Sequence, residues 1–267
     1  MTTAQLAERV VDVWGGAVRM RVKVAGSGPA LVYLHPAAGF AWDDFLDRLA
    51  QRYTVYAPEF PGTSPADPYA IHHVHDVWQV VLMYEELVRK LELDAPVLVG
   101  QSFGGMLAAE IAAGFPGRFD KVVLLDAIGL WLDDHPVANW IAAAPDDLPR
   151  LLFADPQGPA AQAMLAPPED PEEAIAAGAG MVWALGCTGK IVWPIPDKGL
   201  VDRLHRIDAP SLIVWGEHDA LVPAVYAQEF ADRIPDSRVV VVPGAGHIPQ
   251  VEATAETYHA VSEFLAI

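Results

Sequence analysis

Pro96-Val97-Leu98-Val99-Gly100-Gln101-Ser102-Phe103-Gly104-Gly105-Met106-Leu107-Ala108-Ala109-Glu110 is the stretch that decides how this chain folds. Its first four residues form the short apolar run of a strand buried on both faces, and its last six read as a helix start. Between them a serine stands two residues from a glycine on either side. That is the nucleophile-elbow spacing at a strand-to-helix turn. The spacing has a steric cause. The chain reverses sharply, which forces Ser102 into a strained backbone conformation and brings positions 100 and 104 too close for a β-carbon. The hydroxyl then stands at the tip of the turn, with the Phe103 N–H and the positive end of a helix dipole beside it. The five central letters recur often by chance; the flanking strand and helix make them specific.

The elbow pattern expects an acid and then a histidine further along the chain. The run Ser211-Leu212-Ile213-Val214-Trp215 ends at Gly216-Glu217-His218-Asp219, and Arg238-Val239-Val240-Val241-Val242 ends at Pro243-Gly244-Ala245-Gly246-His247. Loops after buried strands are where parallel sheets build their sites. In this reading Ser102 is the nucleophile. His247 takes its proton and later returns it to the leaving group. Asp219 holds the imidazole tautomer and stabilises its charged form. Asp126, after the strand-like run Lys121-Val122-Val123-Leu124-Leu125, is the competing acid. His218 is read as facing away from the triad, and His35 as bonding nearby loop backbone.

The chain has 267 residues, 52% of them hydrophobic, which allows a large single core and excludes disorder. With 17 Lys+Arg against 35 Asp+Glu its formal charge is −18. Such a surface disfavours nucleic acid and anionic membranes. The single cysteine, Cys187, forbids an internal disulfide and reads as a buried small hydrophobe. Residues 1–11 carry an acid, Glu8, and lack the apolar centre of a signal peptide. No stretch is read as approaching the roughly 20 apolar residues needed to cross a bilayer. A cytoplasmic location is the expectation.

Gly15-Gly16 joins two β-like runs, residues 10–14 and 17–24, as a hairpin. Strand-like runs at 31–34, 53–57, 96–99 and 121–125 then alternate with helical patterns at 42–49 and about 76–91. That alternation predicts a mostly parallel, doubly wound α/β sheet. After Asp126 the pattern breaks. Residues 128–207 contain no strong strand, ten prolines, short helical fragments such as 171–177, and Trp131, Trp140, Trp183 and Trp193. This segment is expected to be an inserted helical cap over the carboxyl edge of the sheet, roofing an apolar pocket. The organisation is then core 1–127, cap 128–207 and core 208–267. His72-His73-Val74-His75-Asp76 carries metal-capable side chains, but no further ligand follows at a diagnostic spacing, so it is read as a helix start and no metal is expected. Gly26-Ser27-Gly28 is a turn, and no phosphate-binding loop motif occurs.

With these elements in place, the chain resembles α/β-hydrolase-fold proteins that carry a serine nucleophile and a helical cap, over nearly its whole length. The carriers are Leu34-His35-Pro36-Ala37-Ala38-Gly39-Phe40, Gly100-Gln101-Ser102-Phe103-Gly104-Gly105, Gly216-Glu217-His218-Asp219-Ala220-Leu221-Val222-Pro223 and Gly244-Ala245-Gly246-His247. The resemblance implies an oxyanion hole built from the N–H after the nucleophile, that of Phe103, and a second from the loop after the third strand. That family usually has His-Gly in this loop. Here it is His35-Pro36, and proline has no N–H, so Ala37 is the expected second donor and Ala38 the next. The implied activity is cleavage of a small to medium apolar carboxylic ester through an acyl-enzyme, without a cofactor. Candidate pocket walls are Phe40, Trp131, Trp140, Met181, Trp183, Trp193, Leu221, Val222 and Ile248. The alternative is carbon–carbon bond hydrolysis of a vinylogous diketone acid from aromatic ring cleavage. Enzymes of that branch usually carry Asn before the serine and Trp after the histidine, where this chain has Gln101 and Ile248.

Overall fold

The computed structural model describes residues 6–144 and 146–266. Residues 1–5 of the N-terminal stretch, and Pro145 among the clustered prolines, lie outside them. Eight strands form one sheet in the order β1-β2-β4-β3-β5-β6-β7-β8. These are β1 Ala7–Val13, β2 Val18–Gly26, β3 Ala30–Leu34, β4 Thr54–Pro58, β5 Val97–Gln101, β6 Val122–Leu125, β7 Ser211–Gly216 and β8 Ser237–Val242. The Gly15-Gly16 hairpin pairs β1 with β2 antiparallel, Val13 opposite Val18, and β2 pairs antiparallel with β4. Every pairing from β4 through β3, β5, β6 and β7 to β8 is parallel.

Alternating side chains of the central strands face two different cores. Leu98 of β5, Val122 and Leu124 of β6, and Ile213 and Trp215 of β7 join one core layer. Val97 and Val99, Val123 and Leu125, and Leu212 and Val214 join the other. The first layer is covered by α2 Val77–Lys90, α3 Phe103–Gly114 and α7 Val225–Ala231. The second is covered by α1 Asp44–Ala50 and α9 Thr254–Leu265. Period-2 burial on both faces is why these strands read as continuous apolar runs. Asp43 and Asp76 cap α1 and α2, accepting from the Leu46 and Gln79 N–H groups at 2.9 and 2.7 Å. The helix pattern at 42–49 therefore begins two residues later than its apolar spacing suggests, after its cap.

Between β6 and β7 the described residues hold no strand. An irregular stretch leads into α4 Leu148–Leu152, α5 Pro159–Leu165 and α6 Pro171–Val192. Here the structure corrects the sequence reading twice. The fragment expected at 171–177 is the first third of one continuous helix of 22 residues. That helix is also long and apolar enough, by length and composition, to span a bilayer. Its second half is fastened to loops at the carboxyl ends of β3 and β4. Thr188 Oγ1 lies 3.1 Å from the Ala37 carbonyl, Trp183 Nε1 donates to the Gly62 carbonyl at 2.9 Å, and Lys190 Nζ to that of Ile71 at 3.1 Å. The first half stands in solvent, with Ile175 74% exposed. α8 Pro249–Glu252 follows the β8 loop.

Candidate active site

Ser102 sits between β5 and α3 with φ +55° and ψ −114°, a conformation that an L-residue holds only under constraint. The constraint is visible. Its N–H donates to the Leu125 carbonyl at 2.8 Å, and its own carbonyl accepts from Met106 and Ile128. A β-carbon at Gly100 would come within 2.2 Å of the Gly104 carbonyl oxygen, and one at Gly104 within 2.0 Å of the Leu34 oxygen. The two glycines let the turn close against β3.

The turn places Ser102 Oγ 2.8 Å from His247 Nε2, across 145 residues of sequence. His247 Nδ1 lies 2.8 Å from Asp219 Oδ2. Asp219 Oδ1 accepts the Leu221 and Val222 N–H groups, each at 2.8 Å. With a carboxylate at Nδ1, the imidazole carries its proton there and presents Nε2 as acceptor to the serine hydroxyl. All three side chains are buried. Gln101 Nε2 donates to the His247 carbonyl at 2.9 Å and holds the histidine loop to β5, a role the sequence did not suggest.

Phe103 N–H is the first of α3, and Ala37 N–H lies in the turn after β3; neither has an acceptor among the described residues. His35 braces this region. Its Nδ1–H donates to the Pro36 carbonyl at 2.7 Å, and its Nε2 accepts from the Phe60 N–H at 2.9 Å. Burial lowers its pKa to about 4, so the ring is neutral and its tautomer is set by those two bonds. Phe60 meets Phe103 edge-on at 5.1 Å.

Asp126, the competing acid, is not bonded to the imidazole. It is fully buried, and its Oδ1 accepts the Gly216 N–H at 2.8 Å. It nevertheless stands beside the pair: one oxygen of Asp126, one of Asp219 and a ring nitrogen of His247 lie within 4.8 Å of one another. His218 is largely exposed, 3.6 Å from Glu217. The His72–His75 cluster builds a helix entry, with Gln79 bonded to the backbone of His73 and His75 and with His72 stacked on Tyr69.

The nine candidate pocket residues have different surroundings. Trp131, Trp140 and Trp193 line a pocket of about 130 Å³ together with Val137, Val192 and Pro194, and no triad residue is part of its wall. Trp183 bonds Gly62 and is 42% exposed, as is Met181 at 39%. Leu221 and Val222 are core side chains whose backbone, not whose side chains, serves Asp219. Ile248 packs with Phe153 and Ala161, tying the insertion to α8. Phe40 packs with Trp42 on the α1 side and meets His35 edge-on. Aromatic composition carried no information on which ring faces which neighbour.

The family model described as "Alpha/beta hydrolase family" matches residues 31–260. A 2-hydroxy-6-oxo-2,4-heptadienoate hydrolase of Pseudomonas putida is 27% identical over 280 residues, covering 94% of this chain and 90% of that protein. A pimeloyl-[acyl-carrier protein] methyl ester esterase of Vibrio parahaemolyticus is 25% identical over 250 residues, covering 84% and 89%. The crystal structure of a bacterial membrane phospholipase A superimposes with a TM-score of 0.78 over 98% of this chain and 86% of that one; at 24% identity the likeness is one of fold.

Proposed function

The chain belongs to the alpha/beta hydrolase family and is a hydrolase, and from that premise we propose that it cleaves a carboxylic ester of a small to medium apolar substrate through an acyl-enzyme on Ser102. One observation carries this reading: an unbroken line of hydrogen bonds, 2.8 Å from Ser102 Oγ to His247 Nε2 and 2.8 Å from His247 Nδ1 to Asp219 Oδ2, on a turn strained to present the hydroxyl. Ser102 Oγ attacks the ester carbonyl as its proton passes to His247 Nε2. The oxygen that gains charge is received by the Phe103 and Ala37 N–H groups. The tetrahedral species collapses, His247 protonates the departing alcohol, and a water activated by the same imidazole hydrolyses the acyl-Ser102. Asp219 keeps its charge throughout and stabilises the imidazolium in both halves. The α6 helix, fastened to the Ala37 and Gly62 carbonyls, forms the cap over this site.

A second reading has one specific support, the likeness to the Pseudomonas putida dienoate hydrolase: carbon–carbon cleavage of a vinylogous diketone acid. Two residues weigh against it. Gln101 is engaged with the His247 carbonyl, and Ile248 is packed away among Phe153 and Ala161. The test is a panel of p-nitrophenyl esters of graded acyl length run beside a dienone acid, with a fluorophosphonate probe to count reactive serines. Ester turnover with stoichiometric labelling at Ser102 supports the first reading. Turnover of the dienone acid alone replaces it with the second.

A further inference from the structure

Asp126 is a buried acid that the chemistry above leaves without a task. It follows β6 with φ +44°, and its N–H donates to the Val214 carbonyl at 3.0 Å. Oδ1 accepts the Gly216 N–H, whereas Oδ2 is buried with no hydrogen-bond partner. An orphaned carboxylate oxygen inside a protein leaves a charge unsolvated. One carboxylate oxygen of Asp126 lies within 4.8 Å of one of Asp219, and the Asp219 carboxylate already accepts two N–H groups on Oδ1 and faces the imidazole with Oδ2. Two ionised carboxylates at this separation, shielded from water, repel strongly.

We propose that Asp126 is a positioning residue for the triad: its carboxylic acid retains its proton at neutral pH and donates it from Oδ2 to the Asp219 carboxylate, so that the pair carries one negative charge beside His247. The proposal rests on Asp219 being the acid that orients His247. The electrostatics agree with the geometry. Burial first, and the charge of Asp219 second, hold the Asp126 carboxyl well above the usual carboxylate range, and Glu252 acts in the same direction. Asp219 then receives donors from Leu221, Val222, Asp126 and His247, which fixes the plane of its carboxylate. The proton stays on Asp126 through the catalytic cycle; no bond to it breaks. The positive φ at Asp126 accompanies a side chain bonded to the end of β7 at Gly216.

The experiment compares Asp126→Leu and Asp126→Asn on a p-nitrophenyl ester as a function of pH. Leu cannot donate. It is expected to lower kcat about 10- to 100-fold, the worth of a hydrogen bond to a charged group, with KM moved less than about threefold. It also moves the acid limb of the kcat/KM profile to higher pH, because Asp219 deprived of a donor holds the imidazolium more tightly. Asn can place its NH2 where the acid O–H stood and keep its oxygen on the Gly216 N–H. It is expected to rescue most of kcat and to return the acid limb to the wild-type position. If Asp126 is ionised instead, Asn removes a negative charge next to His247 and the acid limb falls by about a unit or more; that result overturns the proposal. An Asp126→Leu protein with kcat and acid limb unmoved overturns it equally. Should the Leu variant not fold, infrared difference spectra of wild type against Asp126→Asn in D2O at neutral pH decide. The carbonyl band of a protonated carboxylic acid is present in wild type and missing in the variant; a wild type without it refutes the shared proton. That band is independent of turnover, so failure of the hydrolase reading, seen as ester turnover that survives Ser102→Ala, is separately observed.

Discussion

Replacing Asp219 by Asn tests the site at its most determined point. The two N–H groups of Leu221 and Val222, both 2.8 Å from Oδ1, choose how the new amide lies. Its oxygen must stay with them. The opposite orientation faces NH2 against two buried donors and leaves both unsatisfied, at about 1–3 kcal/mol each. With the oxygen so held, Nδ2 faces His247 Nδ1 across the present 2.8 Å contact. The ring must then accept at Nδ1 and carry its proton on Nε2, where it points at Ser102 Oγ and cannot act as base. Regaining the active tautomer requires the amide flip, about 2–6 kcal/mol, and at ~1.4 kcal/mol per factor of ten that is a loss of roughly 30- to 20,000-fold. Loss of the charge that stabilises the imidazolium pushes the result toward the upper end, about 1,000- to 10,000-fold in kcat, with KM little changed. Steady-state kinetics on a p-nitrophenyl ester measure it, and a thermal unfolding midpoint near that of wild type shows that the fold is intact. A loss below tenfold in a folded protein, or a larger loss in Asp126→Asn, refutes the assignment of Asp219.

Ser102→Ala should abolish both turnover and fluorophosphonate labelling, read by kinetics and intact mass; labelling elsewhere on the chain would identify a different nucleophile. His35 gives a pH signature of stability. Its folded pKa of about 4 lies below its ordinary 6.5, so the unfolded chain binds a proton first as pH falls. Its contribution is complete above about pH 6.5 and is lost toward pH 4, roughly 3 kcal/mol at ~1.4 kcal/mol per pH unit. Asp43, whose carboxyl burial raises to about 6, opposes this slope in both proteins, so urea unfolding of wild type and His35→Gln at several pH values isolates the histidine. Equal slopes in the two proteins would contradict a buried neutral His35. Gly104→Ala places a methyl 2.0 Å from the Leu34 carbonyl oxygen and should lower stability by about 1–3 kcal/mol or more while disturbing the Ala37 loop; a calorimetric midpoint unchanged from wild type would contradict the close approach.

The elbow and its partners were legible because each rests on a local rule. Gly100 and Gly104 are required by the closeness of their own turn, and the loops ending in Asp219 and His247 follow strands whose unbroken apolar runs mark burial on both faces. The mostly parallel, doubly wound character of the sheet also followed from alternation with helices. The insertion was legible only as a departure from that pattern. α6 escaped as a single helix because Ala174, Ala176, Ala177, Gly178, Ala179 and Gly180 give it no polar face against which an apolar stripe can be seen.

By itself, then, the amino-acid order determined a wound parallel sheet, a serine thrust from a sharp turn, and the loops that carry Asp219 and His247 after later strands, since nearest-neighbour sterics and burial periodicity write these into short windows. Tertiary structure alone decided what depends on distance in space. It tied α6 to Ala37 and Gly62, brought Trp131, Trp140 and Trp193 to one pocket, clipped His35 to Phe60, and brought Asp126 beside Asp219. Those contacts join residues tens to more than a hundred positions apart, and no local propensity encodes which side chains meet when irregular segments settle on a sheet.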